Sequence, residues 1–221
     1  MIELKDVKKV YGERTVLSID TLRIKKGEHL SLTGANGSGK STLLKIIAGV
    51  ISCDGLIVVP QRVLYMPQKT VLFDMSVLHN ITYSLTGKKK EKEEIAMEAL
   101  KKTGLSRLYN KNALTLSGGE GARLALARIL VKDCDALLLD EPTGAVDVEG
   151  TEIVENVVKE YARQNGCALI TATHSPLQAK RLSDRVIMLQ NGRIAEDCTP
   201  EELLLEPKTE FGKKFVSMWR Y

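Results

Sequence analysis

The stretch Gly34-Ala35-Asn36-Gly37-Ser38-Gly39-Lys40-Ser41-Thr42 constrains this chain more than any other. It follows an alternating run, Glu28-His29-Leu30-Ser31-Leu32-Thr33, and precedes Leu43-Leu44-Lys45-Ile46-Ile47-Ala48. That order is strand, glycine-rich loop, helix, with the G-x-x-x-x-G-K-[ST] spacing of a phosphate-binding loop. Glycines let the backbone curl until successive N–H groups point inward and form a nest for phosphate oxygens. A helix starting near Lys40 adds the positive end of its dipole, roughly half an elementary charge. Lys40 can reach the β- and γ-phosphates, and the Ser41 hydroxyl can ligate Mg²⁺. An ordinary glycine-rich turn is the alternative, and the flanking strand and helix argue against it. The stretch predicts binding of a nucleoside triphosphate.

At 221 residues the chain can form one sizeable domain, or a core with a small lobe. A net charge of +4 is too weak to argue for nucleic acid and is compatible with an anionic membrane face. No run approaches the roughly 18 apolar residues of a membrane span. Met1-Ile2-Glu3-Leu4-Lys5-Asp6 is charged and alternating, which argues against a signal peptide. Cys53, Cys134, Cys167 and Cys198 are scattered, without a C-x-x-C pair or histidines at ligand spacing. They predict reduced, structural thiols and a cytosolic setting.

Along the chain, residues 2–10 and 15–25 read as strands joined at Gly12-Glu13. Tyr11, just before that turn, is either a strand-end aromatic covering the sheet edge or a platform for an adenine ring. The helix after the phosphate loop should end near Gly49. Cys53-Asp54-Gly55 reads as a turn, Leu56-Ile57-Val58-Val59 as a short stretch bounded by Pro60, and Val63-Leu64-Tyr65-Met66 as a buried strand. From about residue 69 the texture becomes helical. The charge run Lys88 to Glu94 predicts a solvated loop and first helical turn, followed by an amphipathic face of Ile95, Met97, Ala99 and Leu100. Ala136-Leu137-Leu138-Leu139-Asp140 and Ala168-Leu169-Ile170-Thr171-Ala172-Thr173 read as buried strands. Between them a helix carries Ile153, Val154, Val157, Val158 and Tyr161 on one face. Asn191-Gly192 predicts a hairpin, and Thr199-Pro200-Glu201-Glu202 a capped helix start. Phe211, Phe215, Val216 and Trp219 are spaced for packing on the core. The alternation is that of an α/β fold with a helical lobe inserted into it.

A second group of residues carries chemistry. A parallel strand presents its C-terminal residues at the sheet edge where ligands sit. Asp140 is placed to hold Mg²⁺ directly or through water, and Glu141 to orient and deprotonate an attacking water. His174 ends the neighbouring strand, where an imidazole can reach a γ-phosphate, although a lone histidine there also suits a plain turn.

Leu116-Ser117-Gly118-Gly119-Glu120 opens the helical run Ala122 to Leu130. Ser117 with Glu120 is a capping box. That leaves two glycines in the first turn unexplained, each costing about 1 kcal/mol relative to alanine. Bare backbone N–H groups at a helix start suit a second phosphate contact.

With these three groups the chain resembles the ATP-binding subunit of ABC transporters over essentially its full length. Walker A is Gly34–Thr42, Walker B Leu137–Glu141 and the signature Leu116–Glu120. The resemblance implies a P-loop NTPase, RecA-like core with an antiparallel β subdomain. Core residues would be 1–68 and 133–221, with 69–132 as the helical signature subdomain. It places Tyr11 as the adenine-stacking aromatic, Gln68 as the Q-loop glutamine at the metal and the water, Asp147 in the D-loop and His174 as the switch histidine. Three departures stand out: Glu120 where glutamine is usual, Gly121-Ala122-Arg123 in place of a more polar pair before the arginine, and a short segment between Lys40 and Gln68.

The resemblance further implies an Mg-dependent ATPase coupled to transport. Two copies would assemble head-to-tail, each ATP lying between Lys40 of one and Ser117, Gly118, Gly119 and Asp147 of the other. The homodimer would serve transmembrane permease subunits at the cytoplasmic face of the membrane, and allows for an extracytoplasmic substrate-binding protein. Exposed apolar members of Val71-Leu72-Phe73-Asp74-Met75-Ser76-Val77 are either a permease-docking groove or lobe core. Leu72-Phe73-Asp74, the glutamate-ending signature and the segment from Ala179-Lys180-Arg181-Leu182 are similar to ATPases of tungstate-type oxyanion importers. Two rivals remain at this stage. A soluble ABC-type switch acting on DNA or ribosomes usually carries long insertions or fused domains, and a P-loop kinase would leave Ser117 and His174 without a role.

Overall fold

The computed structural model describes residues 1–219. Strands β1 (Ile2–Tyr11) and β2 (Arg14–Ile24) form an antiparallel hairpin whose register closes at Tyr11 and Arg14 around Gly12-Glu13. β3 (His29–Thr33) runs into the glycine-rich loop and α1 (Lys40–Ile47), followed by β4 (Asp54–Val58) and β5 (Val63–Met66). Three helices come next, α2 (Val77–Thr82), α3 (Lys89–Lys102) and α4 (Gly118–Leu130). The chain then alternates through β6 (Ala136–Asp140), α5 (Val148–Asn165), β7 (Ala168–Ala172), α6 (Pro176–Leu182), β8 (Arg185–Gln190) and β9 (Arg193–Cys198). Helices α7 (Pro200–Leu205) and α8 (Glu210–Ser217) follow. No described helix is long and apolar enough to cross a membrane.

The residues fall into two compact units. One comprises Met1–Tyr65, Cys134–Glu141 and the chain from Asn165 onward. The other comprises Met66–Asp133 and Pro142–Gln164.

The first unit holds a six-stranded sheet, order β5-β6-β7-β3-β8-β9, and a three-stranded sheet, order β2-β1-β4. β6, β7, β3 and β8 run parallel. Strands covered on both faces should be apolar throughout, and every residue of β6 and β7 is buried. β9 returns antiparallel to β8 across Asn191-Gly192, both with positive φ (50° and 76°), as a type I′ turn requires. The register sets Leu32 of β3 opposite Ala172 of β7, and Ala172 opposite Asp140 of β6. The segments leaving these three strands therefore emerge side by side from one sheet edge. Leu43, Leu44 and Ile47 of α1 are buried with Leu138, Ile170 and Leu17 in the main core. Each fully buried side chain of this kind contributes about 1.5–3 kcal/mol, so the helix that carries Lys40 is firmly seated.

A separate apolar cluster in the same unit joins Ala179, Val186, Met188, Leu203, Phe215 and Val216. In the second unit, α2, α3 and α4 enclose Val77, Ile81, Ala96, Leu100, Leu105, Leu124 and Ala127.

Three local expectations need correcting. The buried face of α3 is Ala96 and Leu100, one helical turn apart, whereas Ile95 is exposed. Leu100 of the expected face is buried and Met97 and Ala99 pack against the same cluster, so the error is confined to Ile95, whose place is taken by the smaller Ala96 one position on. The charge run from Lys89 onward is regular helix rather than a loop with a single turn. Asp54-Gly55 belongs to β4 rather than to a turn. Gly55 has φ 98°, and a Cβ there would lie 2.4 Å from the carbonyl oxygen of Asp6, so the glycine serves a close approach of two backbones at an irregular pairing with β1.

Candidate active site

The glycine-rich loop leaves β3 at Gly34, where φ is 135° and an added Cβ would sit 2.2 Å from the carbonyl oxygen of Leu189. Only glycine fits. Ala35, Asn36 and Gly37 form an exposed crest, and Ser38, Gly39 and Lys40 turn back into the interior. The β8–β9 turn holds this loop from the side. Gly192 N–H donates to Ser38 O (3.0 Å), and Ser18 N–H donates to Gly192 O (2.8 Å). The Ser38 hydroxyl is buried without a hydrogen-bond partner among the described residues, an arrangement that calls for a polar ligand in the loop.

Lys40, at the first position of α1, is buried and donates to the carbonyl oxygens of Gly34 (2.8 Å) and Ala35 (3.1 Å). Burial lowers its ammonium pKa, and the nearby carboxylates of Glu141 and Asp140 oppose that shift. Ser41 donates from its hydroxyl to Asp140 Oδ1 at 3.0 Å. Thr42 lies behind it, half-buried. Asp140 is itself buried, and burial raises its pKa. The hydrogen bond from Ser41 works against that rise, while Glu141 adds to it. Two adjacent carboxylates and one buried lysine make a site in which a further cation is favoured.

Tyr65 on β5 was not apparent as a site residue. Its hydroxyl lies 3.5 Å from Asp140 Oδ2, and its pKa is pushed up to about 12, chiefly by burial and then by Asp140. It stays a neutral donor at the acid's second oxygen.

Glu141 directly follows β6 with φ 49°, a left-handed conformation rare for a residue with a side chain. Its backbone N–H donates to Ala172 O (3.0 Å), which fixes the turn. Strained backbone of this kind concentrates at functional positions. Its Oε1 stands 3.6 Å from Nδ1 of His174, which leaves the end of β7. The carboxylate side chain is mostly covered (16% exposed) and the imidazole half-open (53%). Lys40, Ser41, Asp140, Glu141 and His174 are thus brought to one edge by three neighbouring strands. At the end of β1, Tyr11 is half-exposed, with the Lys9 ammonium 5.0 Å from its ring centre.

Gln68, Ser117, Gly118, Gly119 and Asp147 belong to the second unit. Gln68 is exposed. The predicted capping box is present: Ser117 Oγ accepts from Glu120 N–H (3.2 Å), and Glu120 Oε2 accepts from Ser117 N–H (2.8 Å). The backbone N–H of Ser117 lowers the Glu120 pKa. Gly119 has a reason the sequence did not disclose. A Cβ at position 119 would lie 3.1 Å from Ala145 O and 3.4 Å from Val146 Cα, so the loop ahead of Asp147 rests on the bare helix start. Ser117 and Gly118 remain exposed. Asp147 accepts from Gly150 N–H at 2.8 Å, tying that loop to the first turn of α5.

Residues 17–144 match the family model described as ABC transporter. The chain belongs to the ABC transporter family. Among relatives of this ABC cassette, the tungstate uptake system ATP-binding protein TupC of Peptoclostridium acidaminophilum is 37% identical, across 88% of this chain and 97% of that protein. The spermidine/putrescine import ATP-binding protein PotA of Clostridioides difficile is 36% identical, across 98% of this chain and 67% of that protein. The dimeric structure of the ATP-binding cassette MJ0796 in a post-hydrolysis state, bound to ADP and Pi, superposes with a TM-score of 0.84. It is 28% identical, with 90% of this chain and 99% of that chain covered. The fold is therefore the ABC ATPase fold expected from the sequence, and the chain is the ATP-binding, ATP-hydrolysing subunit of a transporter.

Proposed function

We propose that this chain is the motor of an importer, working as a head-to-tail homodimer on separate permease subunits at the cytoplasmic face of a membrane. The observation that carries this reading is the division of the chemistry. Lys40, Ser41, Asp140, Glu141 and His174 gather at one sheet edge, while the exposed Ser117 and Gly118 begin a different helix in the other compact unit. Each copy then offers two half-sites, and ATP completes them between two copies.

In such a site Lys40 exchanges the carbonyls of Gly34 and Ala35 for phosphate oxygens. The amides of Gly34–Ser41 take the remaining phosphate charge, and Tyr11 stacks on the base. The hydroxyl of Ser41 and the carboxylate of Asp140 are hard oxygen donors held together, a set that fits Mg²⁺. When bound, the metal would neutralise charge on the phosphates. Glu141 accepts the proton of the attacking water. His174 reaches the γ-phosphate while its other nitrogen faces Glu141. Ser117, Gly118, Gly119 and Asp147 of the second copy close the site.

Import is supported by relatives named for uptake and import. Their cargoes differ, and the resemblance at Leu72-Phe73-Asp74 and Glu120 favours tungstate or another oxyanion here. Val71 and Phe73, both exposed, are the proposed permease contact. Partners in this reading include an extracytoplasmic substrate-binding protein.

Because closure is bimolecular, the specific ATPase activity of the purified chain should rise with protein concentration while it is mainly monomeric. A flat dependence there would overturn the shared site. Affinity purification from detergent extracts should recover membrane proteins. Recovery of ribosomes or DNA in their place would favour the soluble-switch reading.

A further inference from the structure

Helix α8 starts from a buried carboxylate. Glu196 on β9 is 5% exposed. It accepts from Lys208 N–H (3.1 Å), Thr209 N–H (2.9 Å) and the Thr209 hydroxyl (2.6 Å). Thr209 Oγ1 in turn accepts from Gly212 N–H (2.9 Å) and caps the helix. A Cβ at position 212 would lie 2.1 Å from Glu196 Oε1, so a larger residue there would displace the carboxylate. Further along, Phe215 and Val216 are buried against β8 and α7 residues. Trp219 N–H donates to Val216 O (2.9 Å), so the backbone at 219 is still tied to the helix.

That chain of contacts delivers an indole to the active-site edge. The Trp219 and His174 ring centres are 5.9 Å apart, with planes tilted by 36°. The separation falls in the range of an attractive aromatic pair. The imidazole Nδ1 faces Glu141 Oε1 at 3.6 Å. A half-exposed histidine would otherwise sample several rotamers.

We propose that Trp219 is a positioning residue for hydrolysis: its indole holds the His174 imidazole in the pose beside Glu141. The proposal rests on the role given above to His174. It makes α8, anchored through Glu196, part of the machinery rather than a surface appendage.

Trp219→Ala should lower kcat of the full chain by about two- to tenfold, the worth of one aromatic contact, with KM for ATP changed by less than about twofold. Trp219→Phe, which keeps a ring, should restore most of the rate. In a His174→Ala background, Trp219→Ala should have no further effect. Trp219 is the sole tryptophan, so its emission reports the contact directly and should change on His174→Ala without nucleotide present. Emission unaffected by that change, or independent multiplication of the two kcat losses, would overturn the proposal. Hydrolysis unaffected by His174→Ala would remove the role of His174 itself and the proposal with it. If Trp219→Ala does not fold, Trp219→Phe kinetics and the emission comparison still decide.

Discussion

Glu141→Gln should bind ATP as the wild type does and hydrolyse it about 10²- to 10⁴-fold more slowly, the usual contribution of a positioned general base. The substitution keeps size and geometry and removes only the ability to take a proton. The backbone that holds residue 141, with φ 49° and its N–H on Ala172 O, does not depend on the carboxylate. The proposed phosphate contacts of Lys40 and Ser41 lie on α1, so affinity should persist. With hydrolysis stalled, ATP should hold two copies together, visible as an ATP-dependent dimer by size exclusion. Equilibrium nucleotide binding and steady-state phosphate release check the pair of expectations. Wild-type turnover in the variant would remove Glu141 from the role of base.

Ser117→Arg should abolish hydrolysis to about 10²-fold below wild type or lower, a loss comparable to removing preorganised transition-state donors. ATP affinity of the monomer should move by less than about twofold. Ser117 is exposed and its hydroxyl caps α4, so an arginine there points outward. Loss of the cap costs about 1 kcal/mol, or some 2–4 °C in Tm for a chain of this size. Ser117→Ala isolates that effect: it loses the cap without the bulk and should retain far more activity than the arginine variant. Loss of ATP binding by monomeric Ser117→Arg would contradict a contact made between copies.

What could be read in advance divides along physical lines. The phosphate loop, the acids at the end of β6 and the histidine after β7 were legible because each depends on a short segment, strand then loop, whose residue types have few other uses. The Asn191-Gly192 hairpin and the Ser117–Glu120 capping box were legible for the same reason. Tyr65 was not, because its place beside Asp140 arises from the pairing of β5 with β6, segments some seventy residues apart. Glu196 gave no local signal, since its burial follows from three donors at 208 and 209 that no local pattern announces. Gly119 was legible as unusual and was assigned to phosphate contact alone. The packing of Ala145 and Val146 on it is a tertiary fact. Ile95 shows the limit of hydrophobicity as a guide, since a small alanine beside it claims the buried face.

The Asn191-Gly192 turn is a two-residue surface hairpin of the sort that commonly tolerates tags and changes of length. Its hydrogen bonds to Ser38 and from Ser18 put it under a different rule. Within descent from a common ancestor, insertions or deletions here would shift the backbone of the glycine-rich loop, so the turn should keep its length while other surface loops drift. A choice of labelling or permutation site guided by exposure alone would go wrong at this spot.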